Sequence, residues 1–209
     1  MKRAMIKFSI IFYLFFFASA YAQDDNQDIK YVKANIGASA PSNYLTTGIV
    51  DIKAGYFITP HFALEARLSK FLNKTNNSYE TLTQVNNVIP FIRKRNFLFD
   101  LGTNWVPISA KAHFYSKEVI LDFYLSAYMG LANISTNRAS FSATPQIDTY
   151  DKVYKMNAIL GIGTNIYFSK RLRLSIDFEA SNYIDKKAKS AKKEIITDMN
   201  VLTGIGFFF

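Results

Sequence analysis

Hydrophobic and polar residues alternate along much of this chain. Between Ile120 and Asn133, for example, Leu121 and Phe123 alternate with Asp122 and Tyr124. Side chains at every second position of an extended strand share one face, so this alternation predicts strands with one apolar and one polar face. The eight predicted strands are Ile29–Ala38, Leu45–Ile58, Phe62–Leu72, Arg95–Val106, Ile120–Asn133, Val153–Phe168, Leu172–Tyr183 and Ile196–Phe209.

The connections between these strands alternate in length. Thr59–His61 and Ser169–Arg171 are short turns, and 108–119 is a medium connection after Pro107, which is expected to end the fourth strand. We expect that connection to have room for a short helical turn. Short turns on one side and longer loops on the other are typical of bacterial outer-membrane barrels. The long polar connections are 73–87, 135–152 and 186–193.

Alternation is compatible with a transmembrane barrel and with a soluble barrel, and strand length distinguishes the two. Several predicted strands have 11 to 16 residues. Strands of globular sheets average ~5–6 residues, whereas ~9–11 residues cross a bilayer. The main alternative is a soluble barrel, with its apolar faces inside. Length and aromatic residues near strand ends favour an all-β fold, an eight-stranded antiparallel up-and-down transmembrane β-barrel.

Charged residues indicate which face meets lipid. Arg or Lys on a lipid-facing position near the bilayer midplane costs ~2–4 kcal/mol, whereas charges inside a barrel can pair. We therefore expect an interior polar network that fills the narrow lumen of an eight-stranded barrel. Its predicted members, all on the non-apolar faces, are Asp51, Lys53, Glu65, Arg67, Asp100, Asp122, Arg173, Asp177 and Glu179.

The first 22 residues predict a cleaved secretory signal peptide. Lys2, Arg3 and Lys7 form a basic start, an apolar stretch follows, and Ala20–Ala22 has the small-x-small pattern of a cleavage site. A membrane anchor is the alternative, but the apolar stretch is shorter than the ~20 residues that span a bilayer. Cleavage would leave one domain, 23–209, with 22 basic against 16 acidic residues and a charge of +6. The chain contains no cysteine, which excludes disulfides and thiolate metal sites.

The last predicted strand resembles the closing strand of bacterial outer-membrane barrels. The matching residues are Gly204, Phe207 and Phe209, whereas Leu202 stands where a polar residue is usual. The resemblance implies insertion into the cell outer membrane through contact of this strand with the barrel-assembly machinery.

A broader resemblance covers most of the chain after the signal peptide. It centres on Asn96–Ile108, a strand ending in an aromatic-x-Pro-Ile turn, and continues through Leu121–Ala127, Gly161–Gly163 and Leu172–Leu174. These segments resemble a family of small outer-membrane β-barrel domain proteins of unassigned function. They are more distantly similar to the transmembrane domain of outer membrane protein A. The resemblance implies location and fold, and it carries over no catalytic residues.

Candidate chemistry is sparse. A lipid-modifying enzyme would need a nucleophile and a base, and the two histidines, His61 and His113, fall in predicted periplasmic connections. No residue spacing indicates a metal or another cofactor, and nucleic acid is a poor partner for an exported protein. The basic clusters at the loop side predict either solvated loops or contact with lipopolysaccharide phosphates. Their members are Arg93, Lys94, Arg95, Lys186, Lys187, Lys189, Lys192 and Lys193.

The sequence therefore predicts a non-enzymatic outer-membrane barrel with a structural or interaction role at the cell envelope. A narrow channel for small solutes or ions is the first alternative, and a lipid-modifying enzyme is the second. The expected partners are outer-membrane lipids, lipopolysaccharide and the assembly machinery.

Overall fold

A computed structural model describes residues 30–40, 44–86, 88–114, 117–138, 150–169, 171–186 and 192–209. Within these ranges the chain forms a closed antiparallel barrel in which each strand pairs with its neighbours in sequence and the last strand pairs with the first. The predicted architecture is confirmed. The strands are β1 Lys30–Ala40, β2 Leu45–Thr59, β3 Phe62–Thr75, β4 Arg93–Phe114, β5 Lys117–Thr136, β6 Asp151–Tyr167, β7 Leu172–Lys186 and β8 Lys193–Phe208. The predicted signal peptide and Ile29 lie outside the described residues.

The barrel is apolar outside and charged inside. Leu125 and Ile205 are 44% and 59% exposed on the outer surface. Asp122 and Asp177, which lie on the inner faces of their strands, are only 6% and 2% exposed. A soluble barrel would show the reverse, so the outer surface is suited to lipid and the inner surface to paired charges.

The two ends of the barrel differ. The connections β2–β3, β4–β5 and β6–β7 are tight, and we call their side the short-turn end. The connections β1–β2, β3–β4, β5–β6 and β7–β8 meet at the opposite side, the long-loop end. Helix α1, Asn77–Gln84, lies in the β3–β4 connection, where the sequence predicted only a polar loop. Asn76 caps it by accepting a hydrogen bond from the Tyr79 backbone N–H at 3.2 Å.

The predicted medium connection 108–119 is wrong. Strand β4 continues through Pro107 to Phe114, and Ile108–Phe114 pair with Lys117–Phe123. A bulge between Trp105 and Ile108 absorbs the proline, which lacks an N–H. The neighbouring Val106 N–H donates instead to the His61 carbonyl across the β2–β3 turn, at 2.8 Å. The β4–β5 connection is therefore a tight hairpin.

Strands β1 and β8 close the barrel over ten paired positions, from Tyr31 opposite Phe208 to Ala40 opposite Met199. The Phe209 N–H also donates to the Lys30 carbonyl at 3.0 Å.

Among the described residues, no helix is long and apolar enough to cross a membrane.

Candidate functional site

The lumen is crossed at mid-height by a buried arginine. Arg67 on β3 contacts Glu179 on β7 at 2.8 Å, and these strands lie on opposite sides of an eight-stranded barrel. Its Nε atom also contacts Asp51 on β2 at 3.0 Å. Because the guanidinium group is planar and rigid, it can hold both carboxylates at once. This side chain therefore joins opposite walls of the barrel.

Two lysines extend this contact. Lys53 on β2 lies 3.0 Å from Glu179 and 3.2 Å from Asp177, both on β7. Lys33 on β1 lies 3.4 Å from Asp177, and it donates to the Tyr124 hydroxyl on β5 at 3.2 Å. All of these side chains are nearly inaccessible to solvent. We call the set the central network; its charged members are Lys33, Asp51, Lys53, Glu65, Arg67, Asp177 and Glu179.

Glu65 completes the central network on its short-turn side. Its two carboxylate oxygens accept hydrogen bonds from the hydroxyl groups of Tyr31 on β1 and Tyr128 on β5. The Tyr128 ring also lies under Lys53 and Arg67, whose charged groups are 5.3 and 5.6 Å from its centroid. A buried carboxylate needs such donors, because an unpaired one is strongly disfavoured away from water. The two tyrosines therefore fill space in the lumen and also donate the hydrogen bonds that the Glu65 carboxylate needs.

A second crossing lies nearer the long-loop end. Arg95 on β4 pairs with Asp198 on β8, which is the opposite strand, and donates to the Ser181 hydroxyl at 2.7 Å. Its guanidinium also stacks 5.0 Å from the Phe71 ring centroid. Arg95 belongs to the basic cluster predicted at the loop side, either as solvated loop or as lipopolysaccharide contact; it is instead 3% exposed and lies in the lumen. A bulge between Arg95 and Phe97 shifts the register there, which obscures the alternation.

A third crossing closes the long-loop end. Arg93 on β4 contacts Asp185 on β7 at 2.9 Å and Glu194 on β8 at 2.6 Å. Arg138, just after β5, also lies 3.4 Å from Asp185. Both guanidinium groups stack on the Phe91 ring, at 4.6 and 5.3 Å from its centroid. These contacts tie the β3–β4, β5–β6 and β7–β8 hairpins together across the mouth.

The short-turn end is closed by aromatic rings. Tyr31, Tyr167 and Phe57 pack around Phe208, with centroid distances of 5.5, 5.7 and 6.3 Å. Arg173 lies over the rings of Tyr31 and Phe208, at 4.1 and 4.6 Å. Such cation–π contacts are strongest where water is excluded. Side chains of the described residues thus contact one another across the lumen near both ends as well as in the middle.

The nine predicted interior residues are all buried. Six of them belong to the central network, and the other three lie elsewhere in the lumen. Asp100 lies opposite Arg67 in the β3–β4 register, and Asp122 accepts a hydrogen bond from Ser109 at 2.6 Å. Arg173 lies over the Tyr31 ring at the short-turn end. The predicted network did not include Lys33, although strand alternation already placed it on the polar face of β1. It also lacked Asp198, which alternation likewise places on the polar face of β8.

The remaining predicted positions divide between the described and undescribed parts. Lys186 and Lys193 are paired and exposed in β7 and β8, and Lys94 lies with its Nζ atom 4.0 Å from the Tyr150 ring centroid. Lys192 directly precedes β8, whereas Lys187 and Lys189 fall outside the described residues. In the closing strand, Phe207 and Phe209 are 51% and 60% exposed at the short-turn end. Gly204 faces the lumen, where a Cβ atom would lie 1.9 Å from the Asn35 side-chain oxygen.

The histidines lie away from the long-loop end. His61 is in the β2–β3 turn, and the backbone of His113 is near the end of β4. The His113 side chain is not among the described parts of the structure. In the described ranges, no group of three or more His, Cys, Asp or Glu side chains is arranged to hold a metal ion. The site that the geometry does define is a set of paired charges that joins opposite walls.

Several solved structures share this architecture, and two of them serve as examples. Neisserial surface protein A (NspA) is 12% identical in sequence and has a TM-score of 0.52, covering 86% of this chain and 97% of that one. The N-terminal β-barrel domain of Pseudomonas aeruginosa OprF is 15% identical and has a TM-score of 0.56, covering 88% and 98%. The chain has the fold of a small outer-membrane β-barrel.

The predicted resemblance to small outer-membrane β-barrels is confirmed at the level of fold. No family model and no curated protein matches the sequence. At these identities the likeness concerns the path of the backbone, because the same barrel can carry unrelated functions. What this barrel does must be inferred from its own lumen and surface.

Proposed function

We propose that the protein is a non-enzymatic, non-conducting barrel of the cell outer membrane with a structural or interaction role at the envelope. The observation that carries the proposal is the set of ion pairs crossing the lumen. Arg67–Glu179, Arg95–Asp198 and Arg93–Glu194 each join β3 or β4 to β7 or β8. With the lumen occupied by such pairs, partners would meet the outer surfaces of the barrel, including the long-loop end, rather than the lumen.

The orientation follows from the two different ends. In outer-membrane barrels the short turns face the periplasm and the longer loops face outside. We infer that residues 1–22 direct export and are removed. The closing strand would then meet the barrel-assembly machinery through Gly204, Phe207 and Phe209. In this orientation the basic rim around Lys186 and Lys193 faces the outer leaflet.

A narrow channel is the second candidate, and the polar lumen is the observation that favours it. Water-filled channels also have polar interiors. Here, however, Arg67 and Lys53 contact carboxylates at 2.8 to 3.2 Å and are essentially fully buried. Moving an ion past them would require these buried pairs to separate, which is costly. The closed state therefore receives more support.

A planar lipid bilayer containing the purified full-length protein tests this proposal. Wild-type protein is expected to give no reproducible single-channel steps, because side chains cross the lumen on three levels. Folding of the inserted sample should be verified by heat-modifiable gel migration. A porin in the same chamber would show that insertion and recording work. Reproducible steps from folded wild-type protein would overturn the closed-lumen proposal and favour the channel.

The lipid-modifying enzyme has weaker support. His61 is in a short turn, at the end opposite to the loops. In the proposed orientation it lies in the periplasm, away from outer-leaflet lipid. This separation between His61 and the exposed loop surface argues against the enzyme alternative.

A further inference from the structure

Charges on the β7–β8 hairpin are separated between its two faces. Asp185 and Glu194 are opposite each other on the inner face, where both carboxylates contact Arg93. The next pair along the hairpin, Lys186 opposite Lys193, is exposed on the outer face. The acidic residues closest in sequence to the two lysines are therefore already paired with other cations.

The two lysines form an unusual cross-strand pair. Directly opposed residues in an antiparallel pair have Cβ atoms about 4.5–5.5 Å apart, and like charges at that spacing are destabilising. An anion between the two ammonium groups would relieve this repulsion. A phosphate group suits the position, because its several oxygens accept charge-assisted hydrogen bonds from both lysines.

An apolar surface lies directly below the lysines on the same outer face. Ile184 and Ile195 form the cross-strand pair two positions from Lys186 and Lys193, and they are 54% and 72% exposed. On the neighbouring strand β6, Met156 is 69% exposed. Positive charge continuous with exposed aliphatic side chains matches a ligand with an anionic head and hydrocarbon chains.

We propose that the outer face of the β7–β8 hairpin binds a phosphorylated glycolipid of the outer leaflet. Its phosphate lies between Lys186 and Lys193, and its acyl chains lie along Ile184 and Ile195. This site rests on the proposed orientation, in which the long-loop end faces outside. Its charge complementarity is independent of whether the lumen conducts.

The test compares two double variants of the full-length protein extracted from membranes into zwitterionic nanodiscs. Lys186→Gln/Lys193→Gln removes the opposed pair. Lys70→Gln/Lys74→Gln is the matched control, because these lysines are also exposed, on β3, and their cross-strand partners are uncharged. The probe is diphosphorylated lipid A, and isothermal titration calorimetry measures its dissociation constant.

Loss of the opposed lysines is expected to weaken lipid A binding by roughly 30-fold, because each cation near an anionic lipid surface contributes on the order of fivefold. The control variant should bind like wild type, and dephosphorylated lipid A should bind wild type as weakly as it binds the Lys186→Gln/Lys193→Gln variant. Equal losses in both double variants would overturn the proposal in favour of diffuse attraction. Phosphatidylglycerol binding with the same affinity and the same loss would also overturn it, since the site would then recognise any anionic lipid. Single-channel steps from wild type would contradict the closed lumen and leave these affinities unaffected.

Discussion

Replacing Arg67 with methionine is expected to lower the free energy of unfolding by about 3–5 kcal/mol, the usual effect of removing one partner from a buried ion pair. The substitution leaves two cations, Lys33 and Lys53, to balance the four carboxylates of the central network. Methionine fills similar space, so the loss reflects charge more than cavity formation. Urea titration of the barrel in lipid vesicles, followed by fluorescence of the single tryptophan, Trp105, measures the change.

Three further variants make the Arg67 result specific. Arg171→Met changes the same residue type on the exposed β6–β7 turn and should stay within about 0.5 kcal/mol of wild type. Arg67→Lys should lose an intermediate amount, because an ammonium group cannot reproduce the two-carboxylate contact. Adding Glu179→Gln to Arg67→Met should give less than the sum of the single losses, since the two residues are in contact. Equal unfolding midpoints for Arg67→Met and Arg171→Met would contradict the assigned role of the network.

Replacing Gly37 with alanine is expected to impair closure between β1 and β8. A Cβ atom at this position would lie 2.0 Å from the Val201 carbonyl oxygen and 2.8 Å from the Leu202 Cα atom. Both are backbone atoms, so relief requires the two strands to move apart. Overpacking typically costs about 1–3 kcal/mol. We expect at least that loss of stability here, together with a smaller heat-modifiable fraction after refolding.

Gly48→Ala provides the matched control on the adjacent strand β2. There the nearest atom to a new Cβ would be the Leu72 Cβ, at an ordinary contact distance of 3.8 Å. Removing a glycine from a strand at a compatible position stabilises by about 0.4–1 kcal/mol, chiefly through the unfolded chain. The control should therefore be as stable as wild type or slightly more so. A loss of stability of the same size in both variants would show that crowding between β1 and β8 is not the cause.

The fold was predictable because one rule, alternation, applies along nearly every strand. It failed where that rule is interrupted. Pro107 indicated a strand end, but a bulge with one extra residue on β4 lets the strand continue past it. Helix α1 was missed because its eight residues include only two large apolar side chains, Tyr79 and Leu82, too few to show a helical period.

The lumen was predictable as a set of residues and not as a set of contacts. Alternation places Asp51, Arg67 and Glu179 on the inner face, yet their pairing depends on the tilt and stagger of strands far apart in sequence. For Arg95, even the face of the strand on which the side chain lies could not be predicted. It stands in a basic run with Arg93 and Lys94, and only the local bulge determines that Arg95 turns inward while Lys94 faces Tyr150.

The pairs that cross the lumen also constrain how the chain enters a bilayer. Arg67 and Glu179 are 112 residues apart in sequence, and Lys33 and Asp177 are 144 apart, so neither pair exists in a half-assembled sheet. An open sheet in hydrocarbon would present unpaired ions and unpaired backbone groups to lipid, which is strongly disfavoured. We therefore expect closure of β8 on β1 to accompany entry into the hydrocarbon, since an open sheet would leave these groups unpaired in lipid.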